Sequence, residues 1–207
     1  MFITLEGPDG SGKTKQIQPL ANFLKEKGFT VFTAREPGGT AIGDQVRYIL
    51  MNLDNTSMRP RTETLLFCAA RAQLVEEVIR PHLEKGEVVV LDRYADSTMA
   101  YQGYGHQNDL ALIKNLLDFA TGGLKPDLTL LLDVDPEVGL RRRQVGGGEW
   151  NRLDAYQLQY HQRVRQGYLK MAAADPNRWR VIDASQPPDM VKSRIQEILL
   201  LYLSKLS

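Results

Sequence analysis

Short apolar segments alternate along the chain with longer segments of helical periodicity. The short segments are rich in Val, Ile, Leu and aromatic residues, and they predict strands over residues 2–6, 30–33, 87–92, 127–134 and 179–182. Two of them, at residues 88–91 and 128–132, are apolar without the strict alternation of a half-exposed strand. Such runs are typical of strands that are covered on both faces, as in a parallel sheet.

Helical periodicity fills the intervals between these strands. Residues 62–83 predict one long helix that Pro81 is expected to shorten. Two apolar stripes at spacings of three and four predict further helices; they comprise Leu110, Ile113, Leu116 and Leu117, and then Val191, Ile195, Ile198, Leu199, Tyr202 and Leu206. This order predicts an α/β fold, a doubly wound five-stranded parallel sheet with helices on both faces. Ligands of such folds bind beyond the carboxyl ends of the strands.

Length and charge restrict the possible classes of protein. The chain has 207 residues, with 26 Lys and Arg against 25 Asp and Glu, which suits one domain and argues against a polybasic nucleic-acid or membrane binder. Cys68 is the single cysteine, so an intrachain disulfide and a cysteine zinc cluster are excluded. The longest apolar runs are far shorter than the roughly 20 residues that span a bilayer. We therefore expect a cytoplasmic protein with no nucleic-acid or membrane partner.

One short segment interrupts the strand–helix alternation. Residues 144–150 read Gln-Val-Gly-Gly-Gly-Glu-Trp between two helical stretches. Three successive glycines form a mobile hinge more readily than a packed turn. We therefore predict a lid over about residues 141–154 within a single domain, residues 1–207.

The strongest chemical motif follows the first predicted strand. The sequence matches G-x-x-x-x-G-K-[ST] and opens a predicted helix, as a phosphate-binding loop does; its residues are Gly7, Pro8, Asp9, Gly10, Ser11, Gly12, Lys13 and Thr14. The glycines let backbone N–H groups converge on phosphate oxygens, and the helix adds its positive end. Lys13 would reach the β- and γ-phosphates, and the Thr14 hydroxyl would bind Mg²⁺. The motif predicts ATP binding.

A second candidate lies where the third predicted strand ends. Asp92 follows four apolar residues, and a carboxylate there is placed to meet the Mg²⁺ of the phosphate-binding loop. A helix N-cap or a turn aspartate is an equally common reading of Asp92 alone. Arg93 follows at once, and its guanidinium can bind phosphate in a bidentate manner. The pair favours a role in phosphate chemistry.

Four motifs together resemble those of the bacterial thymidylate kinases, in the family's order and at its usual spacings. Besides the loop at residues 7–14, they are Arg-Glu-Pro-Gly-Gly-Thr at 35–40, Leu-Leu-Phe-Cys-Ala-Ala-Arg at 65–71, and the segment 92–103 from Asp-Arg-Tyr to Tyr-Gln-Gly. The resemblance covers almost the whole chain. It implies the P-loop NTPase fold with a small lid, Mg²⁺-dependent transfer of phosphate from ATP to dTMP, and a homodimer packed through helices that include residues 62–79.

The resemblance also implies which residues contact the thymine base. Phe67 would stack on the ring, Arg71 would donate a hydrogen bond to it, and Pro37 would lie near it. One helical turn separates Phe67 from Arg71, so both side chains point to the same side. Without the resemblance, Phe67 reads more naturally as a core aromatic residue.

The sugar and phosphate contacts are implied in the same way. Tyr101 would occupy the place of a ribose 2′-hydroxyl and so favour deoxyribose. Asp9 would contact the 3′-hydroxyl, and Arg93 would hold the phosphate of dTMP. Ser97 and Gln102 complete the predicted acceptor site.

The family has two variants, with an additional catalytic arginine in either the phosphate-binding loop or the lid. Gly10 occupies the loop position here, so the chain resembles the variant with the lid arginine. Arg152 is the first candidate and Arg143 the second, although a run of arginines is also common on solvated helix faces. The chain departs from the family pattern at Tyr156, where a second acid is frequent, and at His106, where arginine is frequent.

The predicted reaction, ATP + dTMP → ADP + dTDP, requires no general base. The second pKa of a phosphate monoester is about 6, so the acceptor is already mostly anionic at neutral pH. Catalysis would depend on positioning and charge neutralisation by Lys13, Mg²⁺, Arg93 and the lid. Three alternatives stay open: a kinase for another nucleoside monophosphate, a GTPase switch, which the absence of an Asn-Lys-x-Asp motif disfavours, and a non-catalytic nucleotide-binding protein.

Overall fold

A computed structural model describes residues 1–146 and 151–205. The strands are β1 (Phe2–Glu6), β2 (Val31–Arg35), β3 (Val88–Asp92), β4 (Leu128–Asp133) and β5 (Trp179–Asp183). The helices are α1 (Lys13–Glu26), α2 (Ala41–Met51), α3 (Pro60–Leu74), α4 (Arg80–Glu84), α5 (Ala95–Thr98), α6 (Leu110–Thr121), α7 (Pro136–Val145), α8 (Leu158–Ala174) and α9 (Pro188–Leu203). Two π-helical turns, Val75–Ile79 and Met99–Gly105, continue α3 and α5.

The strands form one parallel sheet in the order β2-β3-β1-β4-β5. Leu5 of β1 pairs with Asp92 of β3, so both strands end at the same edge of the sheet. The loop after β1 and the residues after β3 therefore meet at this edge. The five predicted strands and the α/β fold class are confirmed, with strand ends shifted by no more than two residues.

Apolar side chains cover both faces of the sheet. Ile3 and Leu5 of β1 point to one face, where they pack with residues of α1 and α9. Phe2 of the same strand points to the other face and packs with Leu74 and Ile79. Alternate residues of β1 are thus buried on opposite sides, which explains why the strand has apolar residues on both faces.

The long helix predicted over residues 62–83 begins at Pro60 and ends at Glu84 with a change of helical type in its middle. Pro81 lies in the first turn of α4, directly after the π-helical turn Val75–Ile79. The first turn of a helix tolerates a missing N–H, so Pro81 does not end the helix there. Leu206 of the predicted C-terminal stripe lies outside the described residues, whereas Val191, Ile195, Ile198 and Leu199 are buried as predicted.

Within residues 1–146 and 151–205, no helix combines the length and the apolar character that crossing a membrane requires. The glycine-rich segment of the predicted lid lies partly outside the described residues, at positions 147–150. Arg141, Arg142 and Arg143 belong to the last turns of α7. The lid itself stays a prediction.

Candidate active site

The loop between β1 and α1 has the backbone that its glycines predict. Gly7, Gly10 and Gly12 have φ values of 144°, 73° and 89°, and Gly12 is the residue before α1. A Cβ at Gly10 would lie 2.0 Å from the carbonyl oxygen of Gly139 in α7. The close approach of these two backbones therefore requires glycine at position 10. Any side chain at this loop position would clash with Gly139 unless one of the two backbones moved.

The Lys13 side chain lies inside the loop. Its Nζ donates to the carbonyl oxygens of Gly7 at 2.9 Å and Pro8 at 2.8 Å, and to the Ser11 hydroxyl at 3.1 Å. Burial, together with the positive charge of Arg93, lowers the pKa of Lys13 to about 8. Phosphate oxygens are stronger partners for an ammonium group than carbonyl oxygens, so Lys13 is poised to exchange these contacts for a phosphate chain.

The two predicted metal ligands lie together. The Thr14 hydroxyl donates to Asp92 Oδ2 at 2.5 Å, although 78 residues separate the two along the chain. Among the described residues no cluster of three or more His, Cys, Asp or Glu side chains could hold a metal. A hydroxyl and a single carboxylate fit Mg²⁺, because this ion takes few protein ligands and binds phosphates and water at its other positions.

Arg93 is the centre of a polar network next to the loop. Its Nη2 donates to Asp9 Oδ1 at 2.7 Å and to the Tyr101 hydroxyl at 3.1 Å, and its Nη1 donates to Ser97 Oγ at 3.1 Å. Tyr101 in turn donates to Asp9 Oδ2 at 2.7 Å. The φ of Arg93 is 72°, a conformation that is costly for a side chain of this size. The fold thus holds a strained arginine where the sequence predicts the acceptor phosphate.

Arg71 lies deeper and is fully buried. Two of its nitrogens donate to Glu36 Oε2, Nε at 2.8 Å and Nη2 at 2.5 Å. Nη1 donates to Thr98 Oγ1 at 2.9 Å, and Nη2 also donates to the carbonyl oxygen of Tyr94 at 3.1 Å. Within the described residues, these bonds use four of the five N–H groups of its guanidinium. One N–H on Nη1 is left for a ligand.

A cavity of about 950 Å³ lies above the carboxyl ends of the strands. This volume lies at the upper end of the range for ligand-binding cavities. Most of the predicted site residues line it, and they are Asp9, Gly10, Ser11, Gly12, Lys13, Thr14, Pro37, Phe67, Arg71, Asp92, Arg93, Ser97, Tyr101, Gln102 and Arg143. Gly7, Pro8 and Arg152 are not among the residues that line the cavity. Phe67 and Arg71 both face it, as their spacing predicts.

The lid arginines occupy three different environments. Arg143 lines the cavity and binds Asp154 through Nε at 3.1 Å and Nη2 at 2.6 Å. Arg142 instead donates to the carbonyl oxygen of Ala184 at 2.7 Å and fixes the segment after β5, which also lines the cavity. Arg152 is buried and turned to Glu63, with Nη2 donating to Oε2 at 2.5 Å. The structure therefore brings the second candidate, Arg143, to the cavity, and the first candidate, Arg152, does not lie there.

The carboxylate of Glu63, in α3, accepts four hydrogen bonds from described residues. Oε1 accepts from Gln102 Nε2 at 2.8 Å and from His106 Nε2 at 2.9 Å, and Oε2 accepts from Arg152 and from the Tyr156 hydroxyl at 3.0 Å. Burial would raise the pKa of Glu63, but the hydrogen bond from His106, the charge of Arg152 and the Gln102 bond lower it to about 2. Both departures from the family pattern, His106 and Tyr156, thus contact this carboxylate.

Sequence reasoning missed Glu63 and also Glu6, the last residue of β1. The Glu6 carboxylate is buried and accepts from the backbone N–H of Tyr94, from Ser97 Oγ and from the Tyr168 hydroxyl at 2.6–2.8 Å. It thereby fixes Ser97 beside Arg93. Burial, with the negative charge of Asp96, raises the pKa of Glu6 to about 7. An acidic residue at the end of an apolar strand was the one available signal, because buried carboxylates are rare unless they are partnered.

The glycine-rich loop, the Thr14–Asp92 pair and the adjoining cavity define a P-loop nucleotide-binding protein. Comparison with known proteins makes this assignment more specific. The family model described as Thymidylate kinase matches residues 5–195. The thymidylate kinase of Roseiflexus sp. strain RS-1 is 50% identical over 218 residues, covering 100% of this chain and 96% of that protein.

Further similarities point the same way. The thymidylate kinase of Deinococcus radiodurans is 48% identical, with 94% of each chain covered. The crystal structure of the thymidylate kinase from Ehrlichia chaffeensis superimposes with a TM-score of 0.77 at 34% identity, covering 96% of this chain and 98% of that chain. The chain belongs to the thymidylate kinase family. It is a nucleoside monophosphate kinase, and its reaction is the phosphorylation of dTMP.

Proposed function

We propose that the chain transfers the γ-phosphoryl group of ATP to dTMP in line, with the residues of the cavity in the following roles. The loop of residues 7–14 binds the phosphate chain of ATP through its backbone N–H groups. Lys13 neutralises charge on the β- and γ-phosphates. The observation that carries the proposal is the placement of Lys13, Asp92 and Arg93 around one end of a single cavity.

Mg²⁺ is the metal that the donor set fits. The Thr14 hydroxyl and the Asp92 carboxylate would hold it, directly or through water, at the mouth of the loop. Bound there, the ion would supply positive charge that neutralises the phosphates during transfer. The contact between Thr14 and Asp92 shows that both side chains reach the same point.

The acceptor nucleotide would lie between Arg93 and Arg71. Arg93 binds its phosphate, and Asp9 and Tyr101, which both contact Arg93, face the deoxyribose. Phe67 stacks on the base and the remaining N–H of Arg71 donates to a base carbonyl. Each of these side chains lines the same cavity as the loop, which supports a ternary complex with both phosphate groups close together.

No general base is needed in this scheme. The acceptor oxygen belongs to a phosphate monoester that is already largely ionised at neutral pH. In agreement, no histidine occurs among the described residues that line the cavity. Of the two predicted lid arginines, Arg143 and Arg152, Arg143 is the one that lines the cavity, so we assign it the role of stabilising the transferring phosphoryl group.

The proposal is tested by measuring ADP release with ATP and Mg²⁺ and a panel of acceptors comprising dTMP, dUMP, UMP and AMP. We expect dTMP to give the highest kcat/KM. A preference for AMP would support another nucleoside monophosphate kinase, and no ADP release with any acceptor would support a non-catalytic nucleotide-binding protein. Omitting Mg²⁺ should abolish turnover.

We also infer a homodimer formed through α3 and α6. These neighbouring helices expose large apolar side chains, with Leu65 and Leu112 each 55% and Phe119 87% exposed. We also propose that the enzyme acts in the cytoplasm. Sedimentation of Phe119→Glu tests the dimer, with Leu201→Glu on α9, 64% exposed, as the matched control. Dissociation of the first variant alone is the expected result.

A further inference from the structure

Three of the described residues that line the cavity, Gln16, Glu36 and Gln102, have a buried side-chain oxygen without a hydrogen-bond partner. Of these, Gln102 belongs to the predicted acceptor site. Gln102 is 1% exposed and lines the cavity, and its Oε1 is buried without a hydrogen-bond partner among the described residues. The other end of the same amide donates from Nε2 to Glu63 Oε1 at 2.8 Å. A buried polar atom without a partner costs free energy, so its retention in a binding cavity points to a ligand that completes it.

The contact with Glu63 determines which end of the amide is the unpartnered one. A carboxylate can only accept hydrogen bonds, so it holds the NH₂ group of Gln102 and turns the carbonyl oxygen away. A flipped amide would place two acceptor oxygens 2.8 Å apart in a buried site. The other contacts of Glu63, with Arg152, Tyr156 and His106, are all donors, and they keep the carboxylate ionised and in place.

We propose that Glu63 is a positioning residue that selects the acceptor base, by fixing the Gln102 amide so that its carbonyl oxygen meets a ring N–H. The inference rests on the proposed function, in which the base lies against Phe67 and Arg71. Thymine presents a ring N–H next to a carbonyl oxygen, which matches the Gln102 acceptor and the remaining Arg71 donor. Cytosine presents a bare ring nitrogen next to an amino group, the opposite pattern.

Glu63 thus acts at a distance from the base. It contacts Gln102, and Gln102 contacts the ligand. Removing its negative charge would let the amide rotate, and either end could then face the base. Because Glu63 also binds Arg152, the same change could slow transfer by another route. A loss of activity by itself would therefore not distinguish base selection from a purely structural role.

The ratio of two acceptors makes that distinction. We would measure kcat/KM for dTMP and for dCMP with Glu63→Gln, and take their quotient. Any effect on folding, on ATP or on the lid is common to both acceptors and cancels in the quotient, whereas misorientation of Gln102 does not. The matched control is Tyr156→Phe, which removes another hydrogen bond to Glu63 and leaves the Gln102 contact intact.

We expect Glu63→Gln to lower the dTMP-to-dCMP quotient by about tenfold or more, and Tyr156→Phe to leave it unchanged. An unchanged quotient in Glu63→Gln with reduced turnover of both acceptors would overturn the proposal and leave Glu63 a structural residue. If Glu63→Gln does not fold, Glu63→Asp serves as the second variant, because it keeps the charge but withdraws the carboxylate from the amide. The wild type separates the two proposals, since failure of the proposed function would appear there as absent dTMP turnover.

Discussion

The hydroxyl of Thr14 and the carboxylate of Asp92 are 2.5 Å apart, at the ends of two segments that the sheet brings side by side. Thr14 belongs to the first turn of α1, which follows β1, and Asp92 ends the adjacent β3. The register of β1 and β3 places Leu5 opposite Asp92, so this distance follows from the parallel pairing itself. The pair is where we place Mg²⁺.

Replacing Asp92 by asparagine should remove the negative charge at this point and leave the shape intact. We expect kcat to fall by about 10²- to 10³-fold and the Mg²⁺ concentration at half-maximal rate to rise. Magnesium titrations of initial rates check both. Thr14→Ser keeps the hydroxyl and is the control that should retain most activity. Identical magnesium curves for Asp92→Asn and the wild type would contradict the metal assignment.

Lys13→Ala should fold normally and lose most of its turnover. The partners of the ammonium group among the described residues are oxygens of the loop itself, so we expect its loss to cost little structure, whereas the phosphates would lose a neighbouring cation. We expect a fall in kcat of at least about 10²-fold, measured by coupled ADP release alongside circular dichroism. Lys25→Ala, at an exposed position of the same helix, is the control. Near-normal turnover of Lys13→Ala would argue against phosphate transfer at this loop.

Arg71→Ala should impair the use of dTMP far more than the binding of ATP, because Arg71 faces the acceptor end of the cavity. It also leaves the buried carboxylate of Glu36 without its partner, and we expect a loss of about 3–5 kcal/mol in the free energy of unfolding. Arg71→Lys keeps the charge and separates the two effects. The measurements are KM for dTMP, calorimetric Kd for an ATP analogue, and urea unfolding. An equal loss of dTMP use and of ATP binding would indicate that Arg71 has a purely structural role.

Arg143 and Arg152 form a matched pair for testing the lid. Each binds a buried carboxylate, Asp154 and Glu63 respectively, so replacement by methionine should destabilise both variants to a similar extent. Only Arg143 lines the cavity, and we expect Arg143→Met to lower kcat by at least about 10²-fold more than Arg152→Met. Single-turnover kinetics measure the difference. The opposite ranking would mean that Arg152 leaves Glu63 during catalysis.

The depressed pKa of Glu63 makes stability depend on pH. This pKa lies at about 2 in the folded chain against 4.5 for an ordinary glutamate. The ionised Glu63 carboxylate therefore contributes about 3 kcal/mol to the free energy of unfolding. This contribution is fully present above pH 4.5 and is lost as the pH falls toward 2. Urea unfolding across that window should show the wild type losing its advantage over Glu63→Gln. A gap between the two proteins that does not change with pH would contradict this assignment of the pKa.

The strands and the phosphate-binding loop could be predicted because local sequence determines them. Uninterrupted apolar runs specify strands covered on both faces, and Gly7, Gly10 and Gly12 adopt φ values that favour glycine. The boundaries of α3 and α4 were harder, since the effect of Pro81 depends on where the helical turn changes type. Asp92 was recognised because it follows four apolar residues and precedes Arg93, whereas Glu6, which also ends a buried strand, was missed.

The sequence by itself determined the strands and the conformation of the phosphate-binding loop, since each depends on residues that are close together in the chain. The residues of the acceptor site were predicted from the resemblance of whole motifs, and they stay a prediction. Only the tertiary structure decided that Arg143 rather than Arg152 borders the cavity, that Gly10 touches Gly139, and that Glu63 holds Gln102. Glu63 and Arg152 are 89 positions apart, and their pairing follows from how α3 packs against the end of the lid. A hydrogen bond has a range of about 3 Å, so such contacts exist only once the fold has brought distant segments together.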